Sequence, residues 1–312
     1  MPKTPLLQST ISAALDIVSD SWTILLLREL FLGSSTWGEF TQRLNISPAT
    51  LNKRLKQLVD AGCLTKDSKP GSRTTSYVLT EAGVALFPFM AAAREWQITW
   101  DLNTKAYTSP WVHNCGNPLE CKSICTACDL DVLWEDLVFE DKKEYERKGM
   151  FTLPRRHFRA SSNEVLDLRS GGKLAIVIQV LGDRRACQLL AVMYRGSNRF
   201  EALERLTGLH PAIISERLSK LQVLGLCHTR LYQTNPNRHE YLLSPSAQQL
   251  FEVIIQLRQW GGEWLDARHL HQIPLKHVCC DQLLHAQLIC TYCEKPVHLS
   301  ETHTAATEPP AS

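Results

Sequence analysis

The sequence predicts a mainly helical protein with small β-hairpin wings. It is built from two tandem copies of one unit, each followed by a small cysteine-rich segment. Three observations carry this prediction. An eighteen-residue phrase occurs twice, as "SPATLNKRLKQLVDAGCL" over Ser47–Leu64 and "HPAIISERLSKLQVLGLC" over His210–Cys227. The repeat extends well beyond it. Gly33, Pro48, Arg54, Leu58 and Gly62 match Gly196, Pro211, Arg217, Leu221 and Gly225 at 163 positions; Tyr77, Thr80, Phe87 and Trp96 match Tyr241, Ser244, Phe251 and Trp260 at 164. Each copy then ends in a Cys-x9-Cys-x2-Cys pattern, Cys115, Cys125, Cys128 and Cys280, Cys290, Cys293, shifted by 165. A period this long marks two whole domains rather than a solenoid. The residue gained between Cys227 and Tyr241 marks that interval as an exposed loop.

At 312 residues the chain is long enough for two or more cores. With 44% hydrophobic and 21% charged residues its composition is that of a globular protein. Apolar runs such as "LAIVIQVL" (Leu174–Leu181) stop well short of the roughly 20 residues a membrane helix needs. The start, "MPKTPLLQST", lacks the basic and apolar regions of a secretory signal. The expectation is a cytoplasmic, nucleoid-associated protein with no membrane partner. Its 11 cysteines are then thiols or metal ligands rather than a disulfide framework. Net charge is only +2, so a nucleic-acid argument must rest on local charge. The expected division is a first domain at 1–103, a cysteine-rich segment at 104–130, a charged linker at 131–164, a second domain at 165–268, a second cysteine-rich segment at 269–298 and a disordered tail at 299–312. The compact basic run "RRHFR" (Arg155–Arg159) in the linker reads as a solvated cluster.

Within the first copy, Ile11–Leu32 is apolar at helical spacing and predicts one or two buried helices. "STWGEFTQRL" (Ser35–Leu44) predicts a short helix with Trp37, Phe40 and Leu44 on one face. Asn45-Ile46 makes a tight turn. Ser47 is an N-cap, Pro48 suits the first helical position, and Gly62 suits a left-handed C-terminus. Strands at Leu64–Lys66 and Ser76–Leu79 flank a "KPGSR" tip, and Thr80 caps a long final helix. Three helices followed by a hairpin is the winged helix-turn-helix arrangement.

Leu51, Leu55 and Leu58 share one stripe of the helix that begins at Ser47. At about 100° per residue, Thr50, Lys53 and Gln57 lie opposite, Lys56 on the flank and Arg54 nearer the boundary. Such hydroxyl, amide and ammonium groups hydrogen-bond base edges and phosphates in a major groove. Taken alone, this is an ordinary solvated helix; the ordered set of short helix, turn, capped helix and basic hairpin favours DNA binding. The expected contacts are Ser47, Thr50, Asn52, Lys53, Arg54, Lys56 and Gln57, with Lys69 and Arg73 of the wing, spanning Lys66–Arg73, on the backbone.

"LDIVSDSWTILLLREL" (Leu15–Leu30), the Leu-x2-Arg-Leu core of the capped helix and "SYVLTEAGVALFPF" (Ser76–Phe89) together resemble the HxlR-type winged-helix transcriptional regulators. The resemblance covers most of residues 11–100. It implies a DNA-binding regulator, not an enzyme, with Ser47–Asp60 as recognition helix in the major groove and pairing through terminal helices. Many members carry a reactive cysteine before the first helix; here Gln8 and Ser9 stand there and no cysteine precedes Cys63. Thiol sensing is therefore not carried over.

The second copy keeps its apolar stripe, Ile214, Leu218 and Leu221, but not its outward face. Ile213 replaces Thr50, Glu216 replaces Lys53, Ser219 replaces Lys56 and Lys220 replaces Gln57. His210 replaces the N-cap Ser47, a weaker cap by roughly 1 kcal/mol or less. This copy either contacts DNA weakly, through Ser215, Arg217, Lys220 and Arg238, or serves pairing or effector sensing, which is favoured. Stripes of Leu86, Met90, Ala93, Trp96, Trp100 and of Leu250, Ile254, Leu257, Trp260, Trp264 suit an interface, within one chain or between two.

A Cys-x2-Cys knuckle with a third cysteine fits a structural zinc site. The expected ligands are Cys115, Cys125 and Cys128 with His113 or Cys121, and Cys280, Cys290 and Cys293 with His277, Cys279 or His285. Reduced structural thiols and a redox pair are the rivals. Cys63, Cys187 and Cys227, in apolar surroundings, read as core thiols. A phosphate loop, a nucleophile elbow and a His-Glu-x2-His helix are all missing from the sequence. The alternatives to a gene regulator are a winged-helix protein-interaction module and a thiol- or zinc-based redox-responsive protein.

Overall fold

The computed structural model describes residues 8–67, 75–100, 110–140, 175–266, 270–271 and 274–304. The wing-tip residues Lys69 and Arg73, the basic run Arg155–Arg159 and most of the tail lie outside them. In the first half, strand β1 (Gln8–Ser9) leads into α1 (Thr10–Val18), α2 (Ser21–Phe31), α3 (Trp37–Leu44) and α4 (Pro48–Asp60). The wing is β2 (Leu64–Asp67) paired antiparallel with β3 (Ser76–Leu79), followed by α5 (Glu81–Val84) and α6 (Phe87–Trp100). Strands β4 (Trp111–His113), β5 (Cys121–Cys125) and β6 (Leu137–Phe139) complete it.

Local chemistry sets these boundaries. Ser9 caps α1 and Asp20 caps α2. A capping box joins Thr36 and Glu39 at the start of α3, and the amides of Ser35 and Thr36 hold the Glu39 carboxyl below its ordinary value. Asn45 ends α3 at φ 49°, in the left-handed region that asparagine tolerates better than most residues. Ser47 caps α4 with Pro48 at its first turn.

The second half repeats the order as α7 (Ala175–Leu181), α8 (Arg184–Tyr194), α9 (Phe200–Thr207) and α10 (Pro211–Val223). A longer wing follows, β7 (Cys227–Thr234) with β8 (Asn237–Leu243), then α11 (Pro245–Trp264). The chain closes with β9 (Leu270–His271), β10 (Leu275–His277), β11 (Gln282–Leu283), β12 (Ala286–Cys290) and β13 (Thr302–Thr304). His210 does cap α10, its Nδ1 accepting the Ala212 amide at 3.3 Å.

One expectation for the terminal helices needs correction. In the first half Thr80 caps only the short α5, because the chain breaks before α6. Pro88 lacks an amide hydrogen and its ring would crowd the carbonyl of Val84. Glu252 holds the corresponding place in the second half, where α11 runs 20 residues without a break.

The halves interlock. Helices α6 and α11 pack together, α1 crosses to α11, and α7 crosses to α6. The Trp96 indole donates to the Ser246 carbonyl at 2.7 Å, and the Trp260 indole to the Ala82 carbonyl at 2.8 Å. Both residues and both acceptors are related by the 164-residue shift, so one chain forms a pseudo-dimer through the predicted stripes. The strands after the helices pair across the halves too: β4 with β13, β5 with β12 and β6 with β10, all antiparallel. The stretch from Asp131 to Phe139, expected as linker, is thus structured: Asp131 and Val132 pair with β5 of the first half, and Leu137–Phe139 with β10 of the second. Thr302–Thr304, expected in a disordered tail, pair with β4. Among the described residues no single helix is long and apolar enough to cross a membrane.

Candidate nucleic-acid interface and metal centres

Helix α4 is held on the domain by Leu51, Leu55 and Leu58, each no more than 1% exposed. Its far side presents Ser47, Asn52, Lys53 and Lys56 to solvent, with Thr50 half-buried beside them. The hydroxyls of Ser47 and Thr50 lie 2.8 Å apart. Asn52 uses its amide oxygen to accept from the Trp37 indole at 3.0 Å, which orients its amide nitrogen without consuming it. Lys56 pairs with Asp60 one turn on, at 2.8 Å.

Two residues expected at this surface turn inward. Arg54 is 8% exposed and its Nη2 meets the Asp20 carboxylate at 2.5 Å. Gln57 donates to the carbonyls of Asp16 and Ile17 at 2.9 and 3.0 Å. A long side chain at the edge of the stripe bends back when a carboxylate or unpaired carbonyl waits beside the helix. Arg54 and Gln57 therefore tie α4 to α1 and the start of α2 and are not presented to solvent with the other expected residues.

The second half repeats this brace. Arg217 is 9% exposed, 2.7 Å from Asp183 and 2.5 Å from Glu216. Lys220 donates to the Gln179 carbonyl at 3.2 Å. These two expected secondary contacts are braces as well. Ser215 and Arg238 are exposed, but Arg238 lies 3.4 Å from Glu201. With Glu216 exposed and Val223 87% exposed, this face carries neither the charge nor the donors of α4.

Cysteines and histidines converge in two clusters, one of His113, Cys115, Cys290 and Cys293, the other of Cys125, Cys128, His277 and Cys280. The expected grouping within one segment is overturned: each cluster takes a His/Cys pair from one half and the Cys-x2-Cys knuckle from the other. The cause is strand pairing, which sets Cys121 opposite Cys290 and Cys125 opposite Ala286, so each knuckle is carried to the other half's His/Cys turn. Cys121, Cys279 and His285 are not members of either foursome. His113 and His277 do correspond structurally, at the ends of β4 and β10. Their one-residue offset from the cysteines is absorbed in turns where Gly116 and Asp281 take φ of 86° and 55°.

The geometry fits a tetrahedral cation. Sulfur to sulfur, Cys115–Cys290 and Cys125–Cys280 are 4.0 and 3.9 Å apart, far too long for a disulfide. Nδ1 of His113 lies 3.4 Å from Cys293 and that of His277 3.4 Å from Cys128. Zinc bonds of about 2.3 Å to sulfur and 2.0–2.1 Å to nitrogen give tetrahedral edges of about 3.5–3.8 Å. The backbone amide of Asn117, followed by His113, lowers the Cys115 thiol to about 6, and the Gln282 amide lowers Cys280. Burial pushes Cys290 up. The first site thus offers a ready thiolate, and a bound cation would ionise the remaining thiols of both.

Sequence reasoning missed the outer shell. Nε2 of both histidines is buried without a hydrogen-bond partner. Glu301 Oε2 lies 3.9 Å from His113 Nε2, and a carboxylate oxygen of Asp136 lies within 4.8 Å of a His277 ring nitrogen. Asp136 and Glu301 are 165 positions apart, as the cysteines are, and that shift was the available signal. A carboxylate behind a ligating imidazole is the usual support of such a ring.

The sequence profile of the HxlR-like helix-turn-helix family matches residues 17–104 and again 180–269. The uncharacterized HTH-type transcriptional regulator MT3179 of Mycobacterium tuberculosis (strain CDC 1551 / Oshkosh) is 33% identical over 127 residues, covering 41% of this chain and 80% of its own. The uncharacterized HTH-type transcriptional regulator YvaP of Bacillus subtilis (strain 168) is 34% identical over 94 residues, covering 30% and 87%. That of Synechocystis sp. (strain ATCC 27184 / PCC 6803 / Kazusa), sll1512, is 33% identical over 92 residues, covering 29% and 68%.

Proposed function

The chain belongs to the HxlR-like helix-turn-helix family, and on that premise we propose that it is a DNA-binding transcriptional regulator, not an enzyme, which reads its operator with one half and pairs through the other. The observation that carries this is the asymmetry of two otherwise matched helices. Helix α4 offers Asn52, Lys53 and Lys56 to solvent where α10 offers Ser215, Glu216 and Ser219. Lysine ammonium groups release counterions from the DNA backbone, and the Asn52 amide can address a base edge. Glu216 would repel a phosphate. The domains work as divided above, with 131–132 joined to the first cysteine-rich unit, 137–139 to the second, and 302–304 taken from the tail into the paired strands.

Because the halves already pair within one chain, the operator is a single strong half-site flanked by weakly specified sequence rather than a palindrome. The test is selection of bound fragments from a genomic library, followed by titration at two salt concentrations. Affinity falls as salt rises while one preferred sequence survives. Lys53→Glu abolishes binding and Glu216→Lys does not; equal effects of the two would refute the division of labour.

Zinc is the cation we assign to the two clusters, one in each. It would be a structural ion that joins the halves; both foursomes are complete, so neither leaves the open position catalytic zinc needs. Elemental analysis of chain purified without chelator should find two zinc ions per chain. The chain is expected to work in the cytoplasm on double-stranded DNA.

A further inference from the structure

We propose that the second half holds a binding site for a small uncharged single-ring aromatic compound, in a cavity walled by helices of both halves. The cavity, about 100 Å³, lies between α1 of the first half and α8 and α11 of the second, with Phe139 at its edge. It follows from how the repeat has diverged. Cys187 and Ala191 of α8 stand where α2 carries the larger Ile24 and Arg28. On the neighbouring strand, Leu275 stands where the first half has Trp111. In the first half that indole fills the corner against Phe31 and Phe87, with ring centroids 5.1 Å apart in the second pair. In the second half the aromatic mass comes instead from Phe139 and Trp134, set edge-on against Phe251, with Trp134 also tilted against Tyr194. That rearrangement covers Phe251 but leaves the space beside Cys187 and Ala191 unfilled.

The walls specify the ligand. They are chiefly aliphatic and aromatic carbon, with the Cys187 sulfur, a polarizable atom that favours aromatic rings. Two arginines line the site, and both are engaged. Arg184 pairs with Asp16 and donates to Ser12 at 3.2 Å. Arg195 donates to the Ala191 carbonyl at 3.1 Å, and its guanidinium sits 4.5 Å over the Phe139 ring. Arg184's charge is already matched by Asp16 and Arg195 is committed to a carbonyl and a ring face, so a neutral compound is favoured. In another protein an apolar cavity of about 150 Å³ binds benzene, so about 100 Å³ sets the scale at no more than a single small ring. Binding would act where the halves meet. Helix α8 begins at its cap Asp183, the residue that braces Arg217 of α10, so a ligand wedged against α8 bears on the second winged helix.

The binding claim stands apart from the regulator reading; only its effect on DNA rests on it. The experiment titrates fluorobenzene into the full chain and follows its fluorine resonance. The expected result is saturable binding that toluene displaces and benzoate does not. Ala191→Phe and Cys187→Ile, which narrow the cavity from two positions, each weaken binding at least tenfold. If Ala191→Phe fails to fold by circular dichroism, Cys187→Ile decides. Absence of saturation up to the solubility limit overturns the site, as does unchanged affinity in the folded variants. Equal displacement by benzoate overturns the neutral class. A DNA titration in the same buffer separates the two claims: a chain that binds fluorobenzene but no DNA keeps the site and loses the regulator.

Discussion

Trp96 and Ser246, 150 residues apart, are joined by a buried hydrogen bond from indole to carbonyl. Its counterpart, Trp260 to Ala82, makes the reciprocal link. An indole with a fixed donor direction specifies register as well as affinity, since a slid helix would strand a buried N–H. The two tryptophans therefore act as a pair of latches between halves whose individual sequences have drifted.

Trp96→Ala should lower stability by about 3–5 kcal/mol, as deletion of a buried aromatic does. Trp96→Phe should cost less, about 1–3 kcal/mol, from the lost indole hydrogen bond and the smaller ring. Urea unfolding of the full chain measures both. A cost below 1 kcal/mol for Trp96→Ala would show that the halves do not depend on this contact.

Arg54 and Lys53 are neighbours with opposite expected phenotypes. Arg54→Ala leaves Asp20 without its partner in a site where both side chains are nearly covered, 10% and 12% exposed. Breaking such a pair costs about 3–5 kcal/mol, and its effect on DNA should follow from unfolding. Lys53→Ala should leave the melting temperature within a degree or so while reducing the salt dependence of DNA binding by about one phosphate contact. An Arg54→Ala chain that melts normally yet fails to bind DNA would return Arg54 to the interface.

The shared metal clusters predict coupled losses. Cys290→Ser and Cys115→Ser should each release the same ion and leave the other, despite lying in different halves. Asp136→Ala and Glu301→Ala should weaken retention about 10–100-fold against a chromophoric chelator, as loss of an outer-shell carboxylate does. Chain purified without chelator that holds less than one equivalent of zinc would sink the assignment.

Two half-buried carboxyls set a pH dependence. Burial raises Glu95 and Glu252 from 4.5 to about 7, with Glu120 adding to the effect at Glu95 and Arg94 opposing it. A carboxyl whose folded value exceeds its unfolded one holds its proton more tightly in the folded chain. Stability from these groups is therefore full below about 4.5, falls as pH rises through 7, and is flat above. Glu252→Gln should flatten that slope and raise stability at pH 8 by about 1–2 kcal/mol in denaturant titrations. An unchanged slope between pH 5 and 7 would count against it.

Close approach gives a fifth test. A Cβ at Gly261 would sit 2.9 Å from the Thr10 carbonyl, so α1 can lie against α11 only over glycine. At the matching place in the first half Gln97 instead accepts the amides of Ile176 and Val177 at the start of α7. Gly261→Ala should lower the melting temperature by several degrees, whereas the same change at exposed Gly38 should not.

The elements themselves were legible. Caps at Ser47 and Thr80, the tight turn at Asn45, the left-handed Gly62 and the leucine stripe of α4 are all local chemistry, written within a few residues of where it acts. The repeat announced two domains, and the stripes through Trp96 and Trp260 announced an interface, though not whether it lay within one chain. The break before α6 was missed because one proline was weighed below a long apolar pattern.

By itself the sequence determined the winged-helix units, the family and the two sets of cysteines, because helix periodicity and capping depend on neighbours along the chain. Only the tertiary structure decided which thiols meet, that Arg54 and Gln57 face inward, and that the second half keeps a cavity. Each of these is a contact between segments far apart in sequence, or a long flexible side chain choosing between water and a buried partner. Spacing along one strand fixes which face a cysteine occupies, but the strand that pairs with it fixes which histidine it finds.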